Sequence, residues 1–234
     1  MRAAASLLCA ALAMAASGEA GAQTAESHHA AGMEALRAGQ EQQALTEFRA
    51  AVRIDRNHLP SLLGMADVLS SGGRVFEAYP VLQHAVSIAP GSAQAHALLG
   101  RSLSALGRLK EAREELGRAI QLDPSLTEPY YGVAAVERRL GRFADARRHL
   151  QTFLDRSPND QAARELRAAL AVEAKDYDAA LAAYRELQSA QPEAPGPARE
   201  IARTLMAGTV NPPLSPLPRA RYRSLIEAGR APVA

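Results

Sequence analysis

The sequence predicts an all-α protein, an α-solenoid of stacked antiparallel helix pairs, on three observations. Hydrophobic residues make up 47% of the 234 residues, yet aromatics are only 4% and tryptophan is absent. A chain rich in alanine and leucine with so few aromatic side chains favours helix. The stretch Leu106–Pro124, "LGRLKEAREELGRAIQLDP", places Ala112, Leu116, Ala119 and Ile120 on one helical face. It opens at a glycine and closes at an Asp-Pro stop. That pattern recurs: alanines stand at 44, 78, 112, 146 and 180, thirty-four residues apart.

From the N-terminus, Arg2 precedes an uncharged stretch, Ala3 to Ser17, too short for a membrane span of ~20 residues. It leads to Ala20-Gly21-Ala22, a small-residue triplet of the kind signal peptidase accepts. We therefore expect a secretory signal over 1–22. The competing reading, an amphipathic start, lacks a polar face. Cys9 sits inside the apolar stretch after Leu8, an unsuitable neighbour for a lipidation site. With the signal removed no cysteine remains, so disulfides, thiolate metal sites and cysteine nucleophiles are excluded.

Five units follow, over 25–58, 59–92, 93–126, 127–160 and 161–194. In each, the residue equivalent to Leu116 is large: Phe48, Leu82, Leu150 and Tyr184. The turn glycine Gly107 has counterparts in Gly39, Gly73 and Gly141, with Lys175 as the exception. The stop proline Pro124 has counterparts in Pro90, Pro158 and Pro192, with Arg56 as the exception. A helix precedes each of these: "AHALLGRSLSAL" sets His96, Leu99, Gly100 and Leu103 on one face. The equivalents of Gly100 are Gly32, Ala66, Ala134 and Ala168, all small, so the paired helix can approach closely. One such pair cannot bury its apolar face alone, and neighbouring units must stack. Over 195–208, Ile201, Ala202 and Leu205 repeat the first-helix spacing with no second helix after them, as a capping helix would. The last segment, 209–234, has four prolines among 212–218 and a basic stretch around Tyr222, Leu225 and Ile226. It reads as an extended linker followed by a short amphipathic helix or an unstructured tail.

The period and the set Leu99-Gly100, Leu103, Ala112, Leu116, Ala119 and Pro124 resemble the tetratricopeptide repeat (TPR). The likeness covers all five units and departs most in the fifth, where Arg164 and Arg167 take first-helix positions that are normally apolar. It implies a right-handed superhelix whose first helices line a concave groove. Steps of 34 then give three rows: Met33, Asp67, Arg101, Ala135 and Ala169; His29, Leu63, Ala97, Tyr131 and Glu165; Leu36, Ser70, Ser104, Arg138 and Val172. Arg101, Tyr131, Arg138 and the adjacent Arg139 form the candidate protein- or peptide-binding groove. Arginine there holds a carboxylate by paired hydrogen bonds while Tyr131 packs on an apolar side chain. The plain alternative is a solvated helix face. Met33 and Asp67 stand where the family's chaperone-tail clamp has asparagines, which argues against that role.

Enzymatic chemistry has little support. The chain lacks a G-x-S-x-G elbow, a Walker loop, G-x-G-x-x-G and H-E-x-x-H. Its six histidines are scattered, His28 and His29 diverge by about 100° on a helix, and Glu114-Glu115 reads as a solvated acid pair. No catalytic residue, metal or cofactor is expected. The arginine run at 138, 139, 142, 147 and 148 is interleaved with Glu137 and Asp145, and net charge is only +2, so nucleic acid is not an expected partner.

The expected function is a non-enzymatic periplasmic or secreted adaptor with a protein or peptide partner and no stable membrane insertion after signal cleavage. Resemblance to exported bacterial TPR proteins implies a setting in pilus, secretion, polysaccharide-export or cell-wall machinery. The alternatives are a self-assembling module joined through Phe76, Val172 and the tail around Leu225, or a regulatory subunit of an envelope enzyme. Cleavage after Ala22 is directly testable. Intact mass of the exported protein should place its first residue at Gln23, whereas retention of residues 1–22 would refute the signal.

Overall fold

The computed structural model describes residues 24–190 and, beyond them, 196–197, 200–201 and 203–204. The expected signal and the tail lie outside the described residues, as do parts of the capping segment. Residues 24–190 form ten helices and no strand. They are α1 (Ala25–Arg37), α2 (Glu41–Ile54), α3 (Leu59–Ser71), α4 (Val75–Ile88), α5 (Ala93–Ala105), α6 (Leu109–Leu122), α7 (Glu128–Arg139), α8 (Phe143–Arg156), α9 (Gln161–Glu173) and α10 (Tyr177–Ala190). The second helix of every pair begins thirty-four residues after the previous one, at 41, 75, 109, 143 and 177.

The chain divides at Pro90–Gly91 into two compact units. In the first, α1 to α4 pack in sequence and α1 also reaches α3. In the second, α5 to α10 pack in sequence, and α7 touches both α5 and α9. Within each unit a first helix thus rests on its own partner and on the first helix of the next pair.

Sequence explains this stacking at atomic resolution. Phe48, Leu82, Leu116 and Leu150 project from the second helices and are at most 1% exposed. Small residues on the first helices make room for them. A Cβ on Gly100 would lie 2.6 Å from Leu116 Cγ, and one on Gly132, in the following pair, 3.0 Å from Leu116 Cδ2. Phe48 is held the same way between Gly32 and Gly64, whose Cβ atoms would lie 2.6 and 2.8 Å from its ring. The second glycine of each socket, Gly64 or Gly132, belongs to the next first helix and was not singled out by the period. Ala44, Ala78, Ala112, Ala146 and Ala180 are fully buried, where a larger side chain would push the paired helices apart.

The turns inside the pairs share one geometry. Gly39, Gly73, Gly107 and Gly141 have φ between 72° and 78°, a left-handed conformation that only glycine adopts without strain. Lys175 keeps the same turn at φ 60°. The next residue's amide closes each turn, as in Arg108 N–H to Leu103 O at 2.9 Å and Asp176 N–H to Ala171 O at 2.9 Å. Helix starts are fixed by side chains at Thr24, Ser92 and Asp160, which accept from the backbone amides of Ser27, Ala95 and Ala163.

Beyond α10, the described residues of 196–204 are helical. Ile201 packs against the core of α9 and α10, and Thr204 is buried with its hydroxyl donating to Glu200 O at 2.7 Å. Val172 packs against this same core. It is therefore not the exposed apolar residue that the self-assembly reading required, because the end of α9 is covered by α10 and the residues after it. Phe76, by contrast, is 85% exposed.

Gly100→Ala should cost about 1–3 kcal/mol, because its Cβ meets Leu116 N at 3.0 Å and Ala112 O at 3.1 Å, backbone atoms that cannot rotate away. Lys175→Gly should instead add about 1 kcal/mol by relieving the left-handed strain. Chemical denaturation checks both, and a neutral Gly100→Ala would overturn the socket.

Candidate functional site

The second compact unit positions all four predicted groove residues. Arg101 is exposed on α5. Tyr131 and Arg138 lie two turns apart on α7, so they share a face, and both are half-buried. The Tyr131 ring meets Phe153 of α8 at a centroid distance of 5.4 Å and an angle of 51°, a tilted aromatic pair. Arg139, exposed at the end of α7, donates from Nη1 to Ser104 O at 2.7 Å. Ser104 is one turn from Arg101, near the C-terminus of α5, so Arg139 supplies a donor to a helix end that needs one.

Arg138 is already engaged. Its Nη2 donates to Glu173 Oε1 at 2.7 Å, and its Nε reaches the two oxygens at 2.9 and 3.0 Å. Adjacent arginines thus reach in opposite directions, Arg138 to the end of α9 and Arg139 to the end of α5. Glu173 was missed in the sequence. The hint was its place one residue beyond the row position of Val172, in step with two arginines one repeat earlier. Its carboxylate raises the guanidinium pKa of Arg138 further. Burial raises that of the Tyr131 phenol, helped by the carboxylates of Asp160 and Glu165 and opposed by Arg138. The face is therefore of mixed charge. A partner's carboxylate that takes up the Nε–Nη2 edge of Arg138 must displace Glu173.

Histidines fall into ordered pairs that the sequence did not reveal. His28 Nδ1 lies 2.7 Å from Glu47 Oε2, and His96 Nδ1 lies 2.6 Å from Glu115 Oε2. The two pairs are equivalent, since both members recur after two repeats. Glu115 therefore faces its paired helix and is not part of a solvated acid pair. His29 and His58 meet at 5.6 Å between ring centroids, and His58 bonds Ser61 and Glu26 at 2.8 and 2.9 Å. His29 Nδ1 is buried with no hydrogen-bond partner among the described residues. Among those residues no cluster of side chains is suited to hold a metal, and no helix is long and apolar enough to cross a membrane.

Burial lowers the pKa of His29, the neighbouring His58 lowers it further, and Glu26 partly offsets both. The unfolded chain then binds the proton more readily than the folded one. This contribution to stability is present above the ordinary imidazole value of 6.5 and is lost as pH falls below it. Denaturation at about pH 5.5 and about pH 7.5 should show a smaller loss on acidification in His29→Leu than in the parent. Equal losses in the two proteins would overturn the assignment.

The comparisons with known proteins agree with this architecture. A tetratricopeptide-repeat model matches residues 134–195, and a second matches 35–102 and 73–136. No curated protein matches the sequence significantly. Among solved structures, Pseudomonas aeruginosa pilF is similar with a TM-score of 0.70 at 17% identity, covering 88% of each chain. A tetratricopeptide repeat protein from Parabacteroides merdae gives 0.65 at 18%, covering 87% of this chain and 78% of its own. A chain of the APC/C hetero-tetramer Cut9-Hcn1 gives 0.67 at 19% over 79% of this chain, which spans only 37% of that relative. These likenesses show the helical-repeat fold. With the family models spanning most of α1 to α10, the chain belongs to the tetratricopeptide-repeat family, a class built for contacts between proteins.

Proposed function

We propose that the first-helix face of the second unit docks a peptide or a partner protein, making the chain a non-enzymatic periplasmic adaptor in the assembly of an envelope complex. The observation that carries the docking site is the arrangement on α7. A half-buried aromatic, Tyr131, stands on the same face as Arg138, with the exposed Arg101 on the neighbouring first helix. Tyrosine and arginine are the residue types that most often carry interface energy. The ion pair to Glu173 holds Arg138 extended in a ready geometry, so a partner's carboxylate exchanges one bidentate pair for another. The envelope setting rests on the predicted signal over 1–22 and on the resemblance to exported repeat proteins.

A partner captured by cross-linking in the envelope fraction provides the test. Arg101→Ala combined with Arg138→Ala should weaken its affinity by about tenfold or more. Glu173→Ala, which releases Arg138 from its internal carboxylate, should tighten binding. Unchanged affinity in the double variant would sink the groove assignment.

A further inference from the structure

Two crevices lie at equivalent places in the repeat, one in each unit. One in the first unit is lined by Thr46, Arg49, Val52, Met65, Leu69 and Val81, and one in the second by Glu114, Gly117, Ile120, Val133, Glu137 and His149. Their volumes are the same, about 520 Å³. Adding two repeats to Arg49, Leu69 and Val81 gives Gly117, Glu137 and His149. The shared shape therefore carries opposite chemistry, and the differences point to a ligand.

In the first unit the crevice carries a cation of the chain's own. Arg49 lines it, and its Nη2 lies 3.7 Å from Glu77 Oε2, over a floor of Met65, Leu69 and Val81. In the second unit the position of Arg49 is Gly117, where a Cβ would meet nothing within 4 Å. The floor has meanwhile gained a carboxylate. Glu137 is 4% exposed, in a place where the other units have Ala35, Leu69, Leu103 and Ala171. Its polar side-chain partner among the described residues is His149, whose Nδ1 lies 3.0 Å from Glu137 Oε2 and 3.1 Å from Asp145 O. Both neighbours of that nitrogen are acceptors, so Nδ1 carries the proton and donates to them. The imidazole of His149 is thus the side-chain donor to the Glu137 carboxylate among the described residues.

A buried carboxylate is costly unless a cation or several donors satisfy it. Arg113 and Arg118 also line the crevice, with Glu114 opposing them at the rim. Arg118 bonds Gln121 at 3.5 Å. Rim charges are screened by solvent, whereas Glu137 acts from a low-dielectric floor. Ile120 and Val133 give the walls an apolar lining against which a methylene stem packs.

We propose that the crevice between α6 and α8 receives a basic side chain, arginine or lysine, from a partner protein. The stem lies along Ile120 and Val133, and the head group reaches Glu137 through the opening at Gly117. The partner's cation would occupy the space that Arg49, at the position of Gly117, lines in the first unit, where it pairs with Glu77 over an apolar floor. This site is independent of the groove on the first-helix face.

The test uses the isotope-labelled full chain and N-acetyl-arginine amide as probe, followed by amide chemical shifts. Saturable shifts at Gly117, Val133 and Glu137 are expected, with none at Met65 and Leu69, and N-acetyl-norleucine amide should not reproduce them. Glu137→Leu, which installs the residue found at Leu69, should weaken the probe by about tenfold. Gly117→Phe fills the open space without touching the floor and should abolish binding, so the test survives if Glu137→Leu does not fold. Absence of shifts, equal shifts with the norleucine probe, or undiminished binding in either folded variant would overturn the proposal.

Discussion

The structure depends on one contact, repeated along the chain: a large side chain from a second helix seated between small residues of two successive first helices. Leu116 between Gly100 and Gly132, and Phe48 between Gly32 and Gly64, show it with the least clearance. Close approach at these points sets the distance between paired helices and, through the second glycine, the distance to the next pair. Dispersion and apolar burial both scale with that approach, so a methyl group added in the socket is felt along the stack. The first-helix face proposed for docking and the crevices are positioned by it, because both are built on the helices that the sockets hold together.

Charge is distributed around this core in a way that ties helices together. Arg138 and Arg139 leave the same end of α7 and hold the ends of α9 and α5. Such partly exposed pairs contribute little to stability, on the order of 1 kcal/mol or less. Their larger effect is to orient side chains on the face proposed for docking. Buried charge follows a different logic. Glu137 occupies a core position where hydrocarbon would be more stabilising, and its carboxylate opens onto a crevice. The same register in the first unit holds Leu69, so the fold does not require the acid there.

Much of the architecture was legible in the chain because it follows from spacing. Ala112 and its equivalents fix the second helices, and the turn glycines locate the bends, including the one that Lys175 keeps against its own backbone preference. The site was less legible because pairing across helices depends on side-chain direction. Arg138 read as a groove cation, and only the thirty-four-residue step hinted at Glu173, thirty-five residues on. Glu115 read as solvated because its period neighbour was known and its facing partner, His96, was not. His29 and His58 are far apart along the chain, and packing of α1 on α3 brings them within ring contact.

By itself the sequence determined the helix content, the thirty-four-residue repeat, the five pairs and the small-to-large complementarity that stacks them. These are properties of periodic side-chain size, which survives reading in one dimension. Tertiary structure alone decided which charges meet, which of two equivalent crevices is lined by an arginine at the position of Gly117, and where a buried carboxylate reaches a crevice. Such properties depend on distances of a few ångströms between helices, where Coulomb energy and desolvation change steeply and sequence separation carries no information.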